Sequence, residues 1–560
     1  MSVVTEVGVS LSDAVEQNIH PGDAVHIMLG HSRWTASARE MARQFWGTDP
    51  ELTLIMTSLG ALSALFFRGR MLRKVVTAYS GNSFPSYAPN PIFKAAYESG
   101  DVAVEHWSIL TMAQRMEAAA RGLPAIVTGS VVGSDLARND AFSRVDSEFG
   151  PVGLLAPLAP DVALCHAAVS DVHGNLAISE PLLEGTWGAW AAKRGVVATV
   201  ESIVPDLAEL GHRVQIPAHR VLAVVEAPFG AHPGGCYTPG LPVAGYGEDI
   251  PFWIEAAAAA RDDFDGWART HLLEVPDHSG YLKLLGDDRL IGLRLLSDPD
   301  SWRHDAEANP LPVDDPISDW EVAAALCARE VEAVVSEHQA DGVLAGAGVA
   351  NLAAWVAVGR LRSAGASVCL TAELGLWDYT PTPADPYIFN HRVFPGTSFL
   401  SDASTVLGML VGGPGTTVVG CVGAAEVDQY GNLNSTQLAD GRFLVGSGGA
   451  NDVVTRAAAT VVATLGKPQR LPATAGYITA PGERVTSVVT DRGILRRIDG
   501  RLQVAAVPSG TGTIEERVNL MIGSCGWTPE VVREVEELSP VTMTEVRALR
   551  EFDRRRQFLG

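Results

Sequence analysis

Two glycine-rich loops and one carboxylate carry the residue types that could do chemistry. Val418–Val422 is β-branched and apolar and reads as a buried strand. Gly423, Ala424 and Ala425 follow it, and Asp428-Gln-Tyr-Gly431-Asn432 then makes a polar turn. A second predicted strand, Phe443–Val445, runs into Gly446-Ser-Gly448-Gly449-Ala450-Asn451-Asp452. Strands that end in small residues leave room for a ligand to approach backbone N–H groups. Upstream, Glu373 follows the apolar run Val368-Cys-Leu370, which places it at the carboxyl end of a strand, where open α/β sheets bind ligands. On its own, a loop Glu is usually just solvated. Beside such loops it can attack an activated acyl group and form a mixed anhydride. Holding the reactants together would supply up to roughly 7–11 kcal/mol of the acceleration. Backbone N–H groups of Gly423, Ala424, Gly446, Gly448, Gly449 and Ala450 would stabilise an oxyanion, at roughly 3–4 kcal/mol per donor.

The elements that must position these residues come in two copies. In the first half, helix Leu11–Ile19 (Ser12 read as its cap), strand Ala24–Leu29, helix Ala36–Phe45 and strand Leu52–Thr57 alternate as βαβ units do. Lys74–Ala78, Pro91–Ser99 and Thr111–Arg121 continue the rhythm. In the second half, helix Trp320–Glu337, strand Gly342–Ala345, helix Asn351–Arg362 and strand Ser367–Leu370 repeat it. Thr57-Ser58-Leu59-Gly60 aligns with Ala372-Glu373-Leu374-Gly375, a carboxylate standing where the first copy has a hydroxyl. Asp161–Ile178 parallels Thr417–Asn434, each with a strand followed by Asp-x-x-Gly-Asn-Leu. The fold class predicted is α/β, with two homologous, mostly parallel-sheet domains at 1–297 and 320–560. Residues 298–319, rich in Pro, Asp and Asn, read as the linker.

A chain of 560 residues needs more than one core, and 47% hydrophobic with 19% charged residues is a globular composition. A net charge of -23 speaks against a nucleic-acid groove. The six cysteines are scattered without a CxxC pair, and the histidines form no HxH or HExxH pattern, so no metal site is expected. The first residues lack a secretory pattern and no apolar run reaches membrane-spanning length, which points to a cytoplasmic protein. No acidic residue follows the glycine runs at the distance a dinucleotide fingerprint requires. Glu105, ahead of helix Thr111–Arg121, is a candidate second carboxylate; an acid in a helix's first turn is also favoured by the dipole alone.

At these residues the chain resembles family I coenzyme A-transferases, the glutaconate type in particular, with α and β subunits fused in one chain. Glu373-Leu-Gly375 matches that family's nucleophilic motif. Gly423 to Thr436, and Arg442-Phe443 with Gly446 to Asn451, resemble its β-subunit segments, as does Ser487 to Leu495. Ile216 to His219 and Val224 to Pro233 resemble the α subunit. The resemblance implies ping-pong transfer of coenzyme A through an anhydride and an enzyme glutamyl-CoA thioester. Acyl-CoA and a small carboxylic acid would be the substrates, coenzyme A a substrate and not a resident cofactor, and the assembly a homo-oligomer. Ser58 and Arg33 are candidates for binding the acid. Two departures stand out. His-Trp-Ser-Ile109 replaces a stretch in which many members carry a Gln, and Gly30-His-Ser-Arg33-Trp34 replaces a more glycine-rich loop. The alternative function is hydrolysis of an acyl-CoA or cyclic CoA thioester, as in relatives that rely on a first-half Glu resembling Glu105 and lack the second-half nucleophile.

Overall fold

A computed structural model describes residues 5–28 and 34–560. The first half is built on a parallel sheet containing β1 (Ala24–Ile27), β2 (Leu52–Ile55), β3 (Leu72–Thr77), β4 (Ala103–His106), β5 (Val162–Asp171), β6 (Gly195–Val204) and β7 (Val221–Glu226). Their spatial order is β7-β6-β5-β1-β2-β3-β4. All ten residues of β5 are buried, as a strand covered on both faces requires. The second half holds β8 (Gly342–Ala345), β9 (Cys369–Ala372), β10 (Val418–Gly423), β11 (Ala459–Ala463) and β12 (Val485–Thr490), in the order β12-β11-β10-β8-β9. Five strands of each half thus share one order, all paired in parallel. Beyond β12 the second sheet continues through Gly493–Ile498, Arg501–Pro508 and Val531–Leu538, whereas past β7 the first sheet adds only Glu6–Val7. At the opposite edge the first sheet continues in parallel through β3 and β4, and the second through the antiparallel Leu376–Trp377 and Phe399–Leu400.

The duplicated Asp-x-x-Gly-Asn segment explains itself as a turn. Asp171 Oδ1 accepts from the N–H groups of His173 (3.0 Å) and Asn175 (2.9 Å), and Asn175 Nδ2 donates to Oδ2 (2.8 Å). Asp428 repeats each bond with Tyr430 (2.9 Å), Asn432 N (3.0 Å) and Asn432 Nδ2 (3.0 Å). Gly174 and Gly431 supply the positive φ in each, at 93° and 83°. The carboxylate is consumed in closing the loop, so this motif is architectural.

Helices pack on both sheets: α1 (Ala36–Phe45) and α2 (Ile109–Ala120) in the first half, α3 (Asp319–His338), α4 (Val349–Ser363) and the short α5 (Ala450–Arg456) in the second. Buried apolar side chains from Ala14 to Leu559 form one cluster that runs through both halves. All six cysteines are free thiols.

Four local expectations are corrected. The helix Leu11–Asn18 is capped by Ser10, whose Oγ accepts from Asp13 N, and not by Ser12. Helix α2 starts at Ile109 under a reciprocal Ser108–Thr111 capping box, so Glu105 lies in β4 and not in a helix's first turn. Phe443–Val445 joins no sheet: Phe443 bridges to Gln437, and Val445 O accepts from Ser80 N of the other half at 2.7 Å. Part of the 298–319 stretch is helical (Trp302–Ala308) and docked, with Arg392 Nε donating to Ser301 Oγ at 3.1 Å and Arg550 Nη2 to the carbonyls of Asp315 (3.0 Å) and Pro316 (3.1 Å).

Candidate active site

A cavity of about 440 Å³ opens between the carboxyl ends of the two sheets. The second half lines it with Glu373, Gly423, Ala424 and Gly446–Ala450; the first half contributes Ser58, Tyr79, Tyr87 and Ile109. The sequence-predicted residues of the glycine loops, Glu373 and Ser58 therefore meet in one place.

The Gly446–Ala450 loop is fastened to the first half by its backbone. Gly448 N donates to Ala78 O (2.9 Å), Ile109 N donates to Gly448 O (3.1 Å), and Gly446 bridges to Tyr79. A Cβ at Gly446 would stand 2.6 Å from Ala78 O, on a backbone with φ of 99°, so only glycine fits there. This fastening uses donors expected to serve an oxyanion. Gly446 N bonds Ser435 O, Gly448 N bonds Ala78 O, and Ala450 N bonds Ser447 O. The Gly449 N–H is directed to the Glu373 carboxylate.

Burial raises the Glu373 carboxyl to about 7; the neighbouring charge of Asp452 adds to the rise and the Gly449 N–H offsets part of it. The side chain keeps some surface and lines the cavity. Asp452 is fully buried and belongs to the first turn of α5. It accepts from Ser108 Oγ at 2.6 Å and Leu110 N at 3.0 Å, which ties the start of α2 to the second half. Burial brings its carboxyl to about 6 against the opposing pull of these hydrogen bonds. The Asp452 charge disfavours ionisation of Glu373, and of the two acids it is Glu373 that lines the cavity.

Glu105 does not join this cavity. Its carboxylate is held by Lys74 Nζ (2.5 Å), Arg115 Nη1 (2.7 Å) and Trp107 Nε1 (2.7 Å), on the sheet face over β2, β3 and β4. Burial pushes its carboxyl up, but Lys74, Arg115 and Trp107 together outweigh that and hold it below the usual range. It is an ion-pair centre, so the candidate second carboxylate stands apart from the cavity that Glu373 lines. Arg33 lies outside the described residues, as does most of the loop around it.

Sequence reasoning did not single out Asp452, Tyr87 or Arg470. Tyr87 lines the cavity with its ring stacked on Phe558 (6.0 Å between centroids) and edge-on to Tyr79 (6.4 Å). Burial first, and then the Tyr79 phenol and the Glu373 charge, hold its own phenol protonated. Arg470 also lines the cavity. Asp452 ended a stretch already noted for its glycines; the other two are single residues in unrelated segments, which no local spacing could reveal.

Residues 9–227 match the sequence profile of the family described as Coenzyme A transferase. The first half of the chain thus carries the coenzyme A transferase sequence signature, and the chain is similar to enzymes that transfer coenzyme A. Among its relatives is a glutaconate CoA-transferase polypeptide of Acidaminococcus fermentans, 29% identical over 316 residues, spanning 51% of this chain and 94% of the relative. A 3-oxoadipate CoA-transferase polypeptide from Pseudomonas knackmussii is 28% identical over 281 residues, 49% of this chain and 95% of the relative. An acyl-CoA transferase (YdiF) apoenzyme from Escherichia coli O157:H7 shares the fold, with a TM-score of 0.66 at 16% identity, covering 97% of this chain and 96% of that one. Among the described residues no helix is long and apolar enough to cross a membrane.

Proposed function

We propose that the protein moves coenzyme A from an acyl-CoA donor to a carboxylic acid acceptor by a ping-pong route, with Glu373 as nucleophile, the two halves acting as fused α-like and β-like subunits. The observation that carries this reading is the Glu373 carboxylate, open to the cavity and packed against the Gly449 backbone. The carboxylate attacks the donor's thioester carbonyl; the C–S bond breaks, CoA thiolate leaves and an acyl-glutamyl anhydride remains. The thiolate then attacks the Glu373 carbonyl carbon, the bond from that carbon to the bridging oxygen breaks, and the donor acid departs with the oxygen. The acceptor carboxylate reverses both steps, leaving with CoA and restoring Glu373. No net proton is taken up or released, which suits a site whose acids are shielded from water.

Three features support the reading. A carboxylate with raised basicity is a better nucleophile than an ordinary one. Enclosure keeps the anhydride and thioester from hydrolysis. The wall shared by both halves holds donor and nucleophile together. The hydrolase alternative is not favoured, since Glu105 is locked in ion pairs away from the cavity.

The test is covalent. Incubated with acyl-CoA and no acceptor, the protein should gain the mass of CoA less one water, mapping to a peptide containing Glu373, and Glu373→Ala should gain nothing. A label on another residue, or none with a donor proven to turn over, refutes the assignment.

A further inference from the structure

Every substrate of the proposed reaction is an anion, yet the cavity holds the Glu373 carboxylate with the Asp452 carboxylate close enough to raise it. One lining residue supplies the opposite sign. Among the described lining residues, Arg470 is the only Lys or Arg.

Arg470 differs from the buried arginines that are held by ion pairs. Arg115, Arg392 and Arg550 each face a carboxylate. The Arg470 guanidinium has no ion-pair or hydrogen-bond partner among the described residues, and it lies against the Trp320 ring, 5.3 Å from Cζ to centroid. Its main chain is fixed, with the carbonyl accepting from Val427 N at 2.8 Å, just after the Gly423–Ala425 loop that lines the same cavity. Burial without a counter-charge lowers its affinity for its proton. A half-buried guanidinium that sheds water and gains no carboxylate is costly unless a ligand completes it. Its planar fork suits phosphate and carboxylate oxygens.

We propose that Arg470 is the anion-recognition residue of the cavity, pairing with a phosphate of coenzyme A or the distal carboxylate of a dicarboxylic substrate. The proposal rests on the transferase reading for its choice of ligands. The Trp320 face holds the guanidinium in place, so the bound anion meets a preset donor.

The test compares Arg470→Ala and Arg470→Lys with wild type. Binding is measured by calorimetry on a Glu373→Ala background, with coenzyme A and with pantetheine, which has no nucleotide phosphates. Turnover is measured with glutarate and pentanoate as length-matched acceptors. Loss of the guanidinium should weaken the sensitive partner by about 10–100-fold, with Lys intermediate. Loss of CoA binding with pantetheine binding unchanged assigns the anion to the CoA phosphates. Loss of glutarate turnover with pentanoate turnover unchanged assigns it to the distal carboxylate. Uniform effects on every ligand, or effects within about twofold, overturn the proposal. If wild type shows no thioester at Glu373, the transferase mechanism fails, while the binding comparison still decides the role of Arg470.

Discussion

Gly449→Ala is the sharpest probe of the site. The backbone at Gly449 has φ of -89° and ψ of 2°, which alanine adopts without strain. What excludes a side chain is Glu373: an added methyl carbon would lie 3.1 Å from Cδ and 3.5 Å from Cβ of that residue, with Oε2 nearer still. Carbon contacts are comfortable at about 3.5–4.0 Å, so the carboxylate must retreat by on the order of 1 Å or turn away. Misplacement by that distance reduces rate by about 10²-fold, or about 2.7 kcal/mol. The neighbouring position supplies the control. At Gly448 φ is 52° and a Cβ would meet nothing within 4 Å, so Gly448→Ala should lose about 1–2 kcal/mol of stability and keep the chemistry. The assay is single-turnover thioester formation by quenched-flow mass spectrometry, with thermal unfolding alongside. Gly449→Ala should be slow and stable, Gly448→Ala fast and less stable. A Gly449→Ala enzyme within about threefold of wild type would show that Glu373 is not held against this loop during reaction, and the reasoning from its geometry would fall.

Glu373 must be ionised to attack, so thioester formation should rise with pH through about 7; in Asp452→Asn, which removes a charge that raises Glu373, the rise should move to lower pH in the same single-turnover assay. Because its folded carboxyl sits above its unfolded value, Glu373 should weaken stability progressively as pH rises from the usual carboxylate range to about 7. Glu373→Gln should therefore be more stable by on the order of 1–3 kcal/mol at pH 8 and no different at pH 4, by urea unfolding. Glu105→Ala should leave transfer nearly intact but lose about 3 kcal/mol of stability, since buried Arg115 then lacks its carboxylate; dead, well-folded Glu105→Ala would restore the hydrolase reading. Cutting the chain between Asn309 and Asp314, past the docked Trp302–Ala308 helix, and co-expressing the pieces should give an active two-chain enzyme; pieces that stay apart would count against two subunit-like halves.

Local signals reached far into the fold. The alternating rhythm placed α1, α3, α4 and most of the parallel strands within a few residues, because each is a buried, periodic segment. It failed where the deciding partner is remote in sequence. Leu444 and Val445 are apolar and extended, as a strand is, yet their backbone partners belong to Ser80 and to Ser435–Thr436. Glu105 read as an acid before a helix, but Lys74 and Arg115, which capture it, lie 31 residues upstream and 10 downstream. Three of the expected oxyanion donors, Gly446, Gly448 and Ala450, failed similarly: glycine spacing shows that backbone can come close, and says nothing of whether its N–H groups are already bonded.

The duplication explains why the site needs both halves. Ser58 and Glu373 follow the equivalent strands β2 and β9, and both line one cavity. Had both copies kept a carboxylate there, two acids would share a dry pocket and neither would ionise readily near neutral pH. The structure instead sets one carboxylate facing the space and a second, Asp452, behind it, fixed by Ser108 and Leu110 of the other half. Glu373 is thereby raised to about 7 by burial and by an acid that the first half orients. A second half alone would keep Glu373 and Gly449 but lose Ser108, Leu110 and the Ala78 carbonyl that anchors Gly448. Its nucleophile would be more exposed, less basic and no longer held against a fixed loop.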